Sequence, residues 1–195
     1  MRTLRAMLVV LLLTGAVAGA SSDVPLGLHY SPAENLEVLE VRVIEQARET
    51  IDLAMYGFTD EPLARALRAA AERGVVIRLY RDNIQLGGRG DRTGLLLGHP
   101  NIHVRVKHNG SRNIMHLKAY VIDHRILRTG SANWSPHGEG AACTGGRCSP
   151  RQQQDNDLLF TTDSALVAAF ERTFEALWAR SDNSDLLPTA ATSPR

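Results

Sequence analysis

Between Met115 and Trp134 the chain places His116, Lys118, Asp123, Gly130, Ser131 and Asn133 at spacings that could do chemistry. Side chains alternate along an extended segment, so His116 and Lys118 point the same way. That pairs a nucleophile or base with a cation. Beyond an Asp123–His124–Arg125 turn, Gly130-Ser131-x-Asn133 supplies a close backbone approach and two hydrogen-bonding side chains. If the apolar runs Ala119–Ile122 and Ile126–Leu127 pair as a hairpin, all these groups converge at one end. An imidazole, an ammonium and an amide around one point suit a tetrahedral anion such as phosphate, with Gly130, Arg112 and Asn156 as further substrate contacts.

A His and a Lys alone on an exposed strand face would say little. The complete spacing, His-x-Lys, four residues, Asp, six residues, Gly-Ser-x-Asn, resembles the signature of the phospholipase D superfamily, with every position filled. The resemblance runs from about Leu26 to Arg180, through IDLAMYGFTD, LARALRAAAERG and VVIRLYRD. It is to the small nuclease branch, which holds exported bacterial endonucleases and mitochondrial phospholipase D-like proteins. It implies an α/β fold with a mixed β-sheet flanked by helices on both faces, one motif per chain, and a homodimer with a shared active site.

The resemblance also implies roles. His116 would attack phosphorus to give a phosphohistidine, and the partner subunit's His116 would protonate the leaving oxygen and then activate water. Lys118 and Asn133 would hold the non-bridging oxygens, and Ser131 would bond the phosphate or orient a neighbour. Such sites use no cofactor and no metal. In the family an acid followed by Asn orients the nucleophilic His; Asp155-Asn156 is the match here, with Asp where Glu is familiar and hence a shorter reach. Asp123 either shares in catalysis or pins the strand turn or the dimer.

The elements that must position these residues are legible in part. Ser31-Pro32-Ala33-Glu34 reads as a capping box opening a helix to about Thr50. A strand over 51–58 follows, then a helix capped at Thr59 and ended by Gly74, then a strand over 75–80. This alternation predicts parallel pairing. Asn83–Gly94 is a Gly-rich loop without the Lys-Ser/Thr ending of a P-loop. Strands are expected over 102–106 and 157–162. A final helix capped by Thr162 or Asp163 should turn Leu166, Phe170, Phe174, Leu177 and Trp178 inward. The tail, 181–195, reads as disordered.

Residues 1–20 have the charged leader, apolar core and Ala18-Gly19-Ala20 site of a secretory signal peptide, with an uncleaved anchor as the alternative. The catalytic domain would then be 21–180 and the protein exported, periplasmic or secreted. Cys143 and Cys148 favour a local disulfide in an oxidising compartment; zinc would need His137 and another ligand. The formal net charge of +1 excludes little. A basic stripe of Arg105, Lys107, Arg112, Lys118, Arg125 and Arg128 favours a polyanion. The expected activity is a metal-independent phosphodiesterase, an endonuclease cleaving DNA or RNA. The alternatives are a phospholipase D or phosphatidyltransferase acting on phospholipid and a catalytically silent nucleic-acid-binding protein.

Overall fold

The computed structural model describes residues 24–108, 113–142 and 154–188. The leader, Arg112, Cys143 and Cys148 lie outside the described residues. Eight strands, β1 (Gly27–Ser31), β2 (Thr50–Met55), β3 (Val76–Asp82), β4 (Ile102–Lys107), β5 (Lys118–Ile122), β6 (Ile126–Gly130), β7 (Asn156–Thr161) and β8 (Asn183–Asp185), form one sheet. Their order is β1-β7-β6-β5-β2-β3-β4-β8. β3 runs parallel to β2 and β4, as the helix–strand alternation predicts. The other pairings are antiparallel.

Three helices, α1 (Leu36–Glu45), α2 (Glu61–Glu72) and α3 (Ser164–Trp178), sandwich that sheet. Alternation along β2 divides its residues between the two faces. Ile51, Leu53 and Met55 join Leu36 and Val43 of α1 and Leu63 and Leu67 of α2 in the main core. Ala54 packs instead with Tyr80, Phe174 and Leu177, on the α3 side. The expected mixed sheet with helices on both faces is the observed fold.

Three expectations change. The Ser31-x-x-Glu34 pattern makes a turn, and α1 begins four residues later under Asn35, whose side chain accepts the Val38 N–H. Glu34 does reach back, but to the Tyr30 N–H and the His29 ring. The Ser31 hydroxyl donates instead to the carbonyls of Gly138 and Gln154, more than a hundred residues away. The segment after Ser181 was expected to lack order, yet Asn183–Asp185 pairs with β4 as an edge strand, held by Arg105 on Asp185. Leu166 was expected inward and stands 48% exposed, whereas Phe174 and Leu177 are buried.

Candidate active site

β5 and β6 form the expected hairpin, with Tyr120 opposite Arg128 and Ile122 opposite Ile126. Asp123 and His124 both take left-handed backbone conformations, with φ of 51° and 54°, which lets the three-residue Asp123–His124–Arg125 loop reverse the chain between the paired Ile122 and Ile126. Lys118 and Gly130 therefore come together at the hairpin's open end. His116 immediately precedes β5.

The Lys118 ammonium lies 3.2 Å from both ring nitrogens of His116 and donates to the His116 carbonyl at 2.9 Å. Tyr56 completes this corner: its ring meets His116 edge-on at 4.6 Å and Lys118 at 5.5 Å. Burial, and then the neighbouring ammonium, lower the His116 pKa below its ordinary 6.5. Burial, and then the charge of Arg128, lower that of Lys118. A neutral imidazole thus faces a cation, which keeps a ring lone pair unprotonated as the nucleophile and a positive charge ready for an oxyanion.

The exit of β2 joins the two halves of the motif. The Tyr56 N–H donates to the Leu117 carbonyl at 2.9 Å, and the adjacent Gly57 N–H donates to the Asn133 side-chain oxygen at 3.0 Å. That bond turns the amide's donor end away from Gly57. A Cβ at residue 57 would stand 2.9 Å from the same oxygen, so the contact requires glycine. Beneath it, the buried Arg81 donates to the carbonyls of Met55 and Tyr56. Asp91 binds Arg81, the Gly87 N–H and Thr93, so the Gly-rich loop serves as a buttress here. Asp82 at the end of β3 accepts the Met115 N–H at 2.6 Å and so fixes the approach to His116.

Gly-Ser-x-Asn is tied to β7. Ser131 and Asp157 exchange bonds: the Ser131 N–H donates to the Asp157 carboxylate at 3.1 Å, and the Asp157 N–H donates to the Ser131 hydroxyl at 2.9 Å. Gly130 permits this approach, since a Cβ there would lie 2.3 Å from the Asp157 carbonyl oxygen. Its role is a backbone crossing within the fold.

Several expectations are corrected. Of the two roles expected for Asp123, the geometry supports the structural one: it sits at the closed end of the hairpin, about 16 Å along the strand from Lys118. Its carboxylate accepts the N–H groups of Arg48, Glu49 and Thr50 at 2.8–2.9 Å, which pins the entry of β2. Asp155 is exposed, makes no hydrogen bond among the described residues, and borders a hollow with Ser131, Tyr30 and Asp157. The acid that engages the motif is Asp157, whose pKa is lowered chiefly by the Ser131 hydrogen bond. Asn156 spends its amide on the Gly138 carbonyl at 3.2 Å, a structural bond.

The basic stripe dissolves as well. Lys107 is buried on Asn113, and Arg105 binds Asp185 and the Trp178 carbonyl. Arg125 lies at the closed turn, and Arg128 is fully buried, contacting Glu40, Glu139 and backbone carbonyls. A sequence run of cations is no surface until the strands separate its members. Sequence reasoning missed Tyr56, Gly57 and Asp157, and placed Arg128 in a surface stripe. The available signal was Tyr-Gly at a strand exit for the first two; Asp157 and Arg128 had none of their own. Among the described residues no three His, Cys, Asp or Glu side chains gather as a metal site.

Comparison with known proteins agrees with this geometry. A family model described as cardiolipin synthase, PLD-like domain, matches residues 41–178. Mitochondrial cardiolipin hydrolase of Xenopus laevis is 30% identical over 136 residues, covering 70% of this chain and 58% of that protein. The human protein of the same name is 29% identical over 154 residues, covering 79% and 54%. The chain thus spans a little over half the length of these curated relatives. NucT from Helicobacter pylori superposes with a TM-score of 0.66 at 25% identity, over 78% of this chain and 94% of that one. Nuc from Salmonella typhimurium, a phospholipase D family member, gives 0.65 at 24% identity, over 83% and 97%. With its single complete motif assembled at the mouth of one hairpin, the chain belongs to the phospholipase D-like family.

Proposed function

We propose that the protein is an exported nuclease that cleaves nucleic-acid phosphodiesters without a metal, through a phosphohistidine, as a homodimer. The observation that carries the chemistry is the Lys118 ammonium held 3.2 Å from the His116 ring, with the Asn133 side chain held by the Gly57 N–H at the exit of β2. A ring nitrogen of neutral His116 forms the bond to phosphorus while the bond to the leaving oxygen breaks. Lys118 and Asn133 take the charge that builds on the non-bridging oxygens. The leaving oxygen needs a proton on the opposite side of phosphorus. Of the seven histidines, His116 alone stands in this setting, so a second copy is the natural donor. The partner subunit's His116, protonated, donates there, then as a base draws a proton from the water that releases the product.

Two-fold assembly is supported by the exposed aliphatic residues Ile114 and Leu117, which flank His116 and would be covered by a partner. The nucleic-acid reading is supported by the fold shared with NucT from Helicobacter pylori, at a TM-score of 0.66. The same exposed aliphatics favour a second reading, a phosphodiester presented at a lipid surface, the substrate class named for the curated relatives.

One experiment separates these readings. The purified protein is incubated in EDTA with plasmid, single-stranded DNA, RNA and cardiolipin vesicles. Cleavage of a nucleic acid with vesicles untouched is the expected result, and hydrolysis of cardiolipin alone transfers the site to the lipid reading. Mixing His116→Ala chains with wild type under subunit exchange should remove nearly all turnover from mixed dimers. Turnover proportional to the wild-type fraction overturns the shared site.

A further inference from the structure

Arg128 falls in the variable stretch between the motif's Asp and Gly, where the signature specifies no residue type. Its guanidinium is wholly buried on the main-core side of the hairpin. It donates to the Lys118 carbonyl at 2.7 Å and to the Ala132 carbonyl at 3.1 Å. Lys118 belongs to the His-x-Lys half of the motif, and Ala132 stands between Ser131 and Asn133. Among the described residues no other side chain hydrogen-bonds to both halves.

The guanidinium is itself held. Glu40 of α1 accepts from its Nε at 2.9 Å and also from Nη2, and Glu139 accepts at 3.2 Å. The second Glu40 oxygen takes the Trp134 indole N–H at 2.6 Å, and the Trp134 carbonyl receives the N–H groups of Thr59 and Asp60. Helix α1, the hairpin and the loop after Asn133 are therefore locked around one planar cation. Arginine suits this junction because its five donors lie in a rigid fork, which an ammonium cannot reproduce. Two buried carboxylates face one buried cation, and burial holds the Glu139 carboxyl well above the usual carboxylate range.

We infer that Arg128, seated by Glu40 and Glu139, is a positioning residue for catalysis: it sets the spacing of the Lys118 ammonium and the Asn133 amide by gripping the backbone behind each. The inference rests on the phosphodiesterase reading of this site. A group that fixes two transition-state ligands acts on kcat more than on KM. Arg128 also adds its charge to the surroundings of Lys118, where Tyr56 and His116 are the other titratable neighbours, so its removal should let the ammonium hold its proton to higher pH.

The test compares Arg128→Lys with the combined Arg128→Met, Glu40→Gln and Glu139→Gln variant. The second leaves no unpaired buried charge and keeps an acceptor for Trp134, so it is the form suited to folding without the clamp. Turnover of bis(p-nitrophenyl) phosphate is measured against pH, alongside thermal melting and NMR titration of the Lys118 ammonium and the His116 ring. The folded triple variant should lose at least tenfold in kcat with KM within about threefold, and its Lys118 titration and alkaline limb should move to higher pH. Arg128→Lys, which keeps the charge but not the fork, should lose kcat with the Lys118 titration in place. Wild-type kcat in either folded variant overturns the inference, and Arg128→Lys decides alone if the triple variant does not fold. If wild-type protein does not turn over the probe, the phosphodiesterase reading fails on that substrate. The NMR titration then judges the clamp: unmoved Lys118 and His116 resonances in both variants overturn it.

Discussion

Lys118 and Asp123 stand at the two ends of one hairpin, both named by the same sequence motif, and they do opposite things. Asp123 is saturated, with its carboxylate accepting three backbone N–H groups that close the junction between α1 and β2. Lys118 is underused, with one carbonyl and the His116 ring as hydrogen-bond partners in a half-desolvated corner. A charged group whose bonds are all taken by the fold holds the fold together. One with bonding capacity left over, beside a nucleophile, is prepared for a ligand. The motif therefore records a strand and what must sit at each end of it, only one end being chemical.

The sharpest way to break this contrast is at the open end. His116→Ala should lower turnover by roughly 10³-fold or more, because the covalent route is lost, with little change in melting since the ring is exposed. Retained activity would remove His116 from the role of nucleophile. Gly57→Ala comes next: the new Cβ must displace the Asn133 oxygen 2.9 Å away, so kcat should fall about ten- to a hundredfold with the secondary structure intact by circular dichroism.

At the closed end the effect should reverse its character. Asp123→Ala should cost about 2 kcal/mol in denaturant unfolding, leaving three backbone donors without their acceptor, while kcat of the folded fraction changes less than about threefold. A large kcat loss at unchanged stability would return Asp123 to the chemistry.

A smaller shift is expected in the pH profile. The His116 pKa is lowered by burial and by Lys118, so the acid limb of kcat/KM, on which the nucleophile gains a proton, should lie below the ordinary 6.5, with an alkaline limb where the partner's His116 loses the proton it must donate. Replacing Lys118 with Met removes the repelling charge, so the residual activity should begin to fall at higher pH as acid is added. The acid limb moving the other way would contradict the observed contact. Smallest of all is the effect of chelation. EDTA should leave turnover unchanged, and activity lost in EDTA and restored by magnesium would show that Lys118 is not the group that takes the phosphate charge.

What the sequence determined by itself was short in range. The same-face pairing of His116 and Lys118 followed from strand alternation, β2 and β3 from apolar runs, and the start of α3 from Asp163 placed to cap it, while α2 starts one residue past the expected Thr59 cap, under Asp60. Each is decided within a few residues, where backbone geometry leaves few choices. Tertiary structure decided everything that needs a partner far along the chain. Ser31 ceased to be a helix cap because carbonyls from two distant loops reached its hydroxyl. Asp157, and not Asp155, engages the motif because β7 docks its second residue, and not the one before its first, against Ser131. Arg128 passed from surface stripe to buried junction because Glu40, 88 positions earlier, arrives on a helix packed over the same face. A charge in a sequence has no dielectric until the fold surrounds it, and whether it binds substrate or backbone depends on what surrounds it.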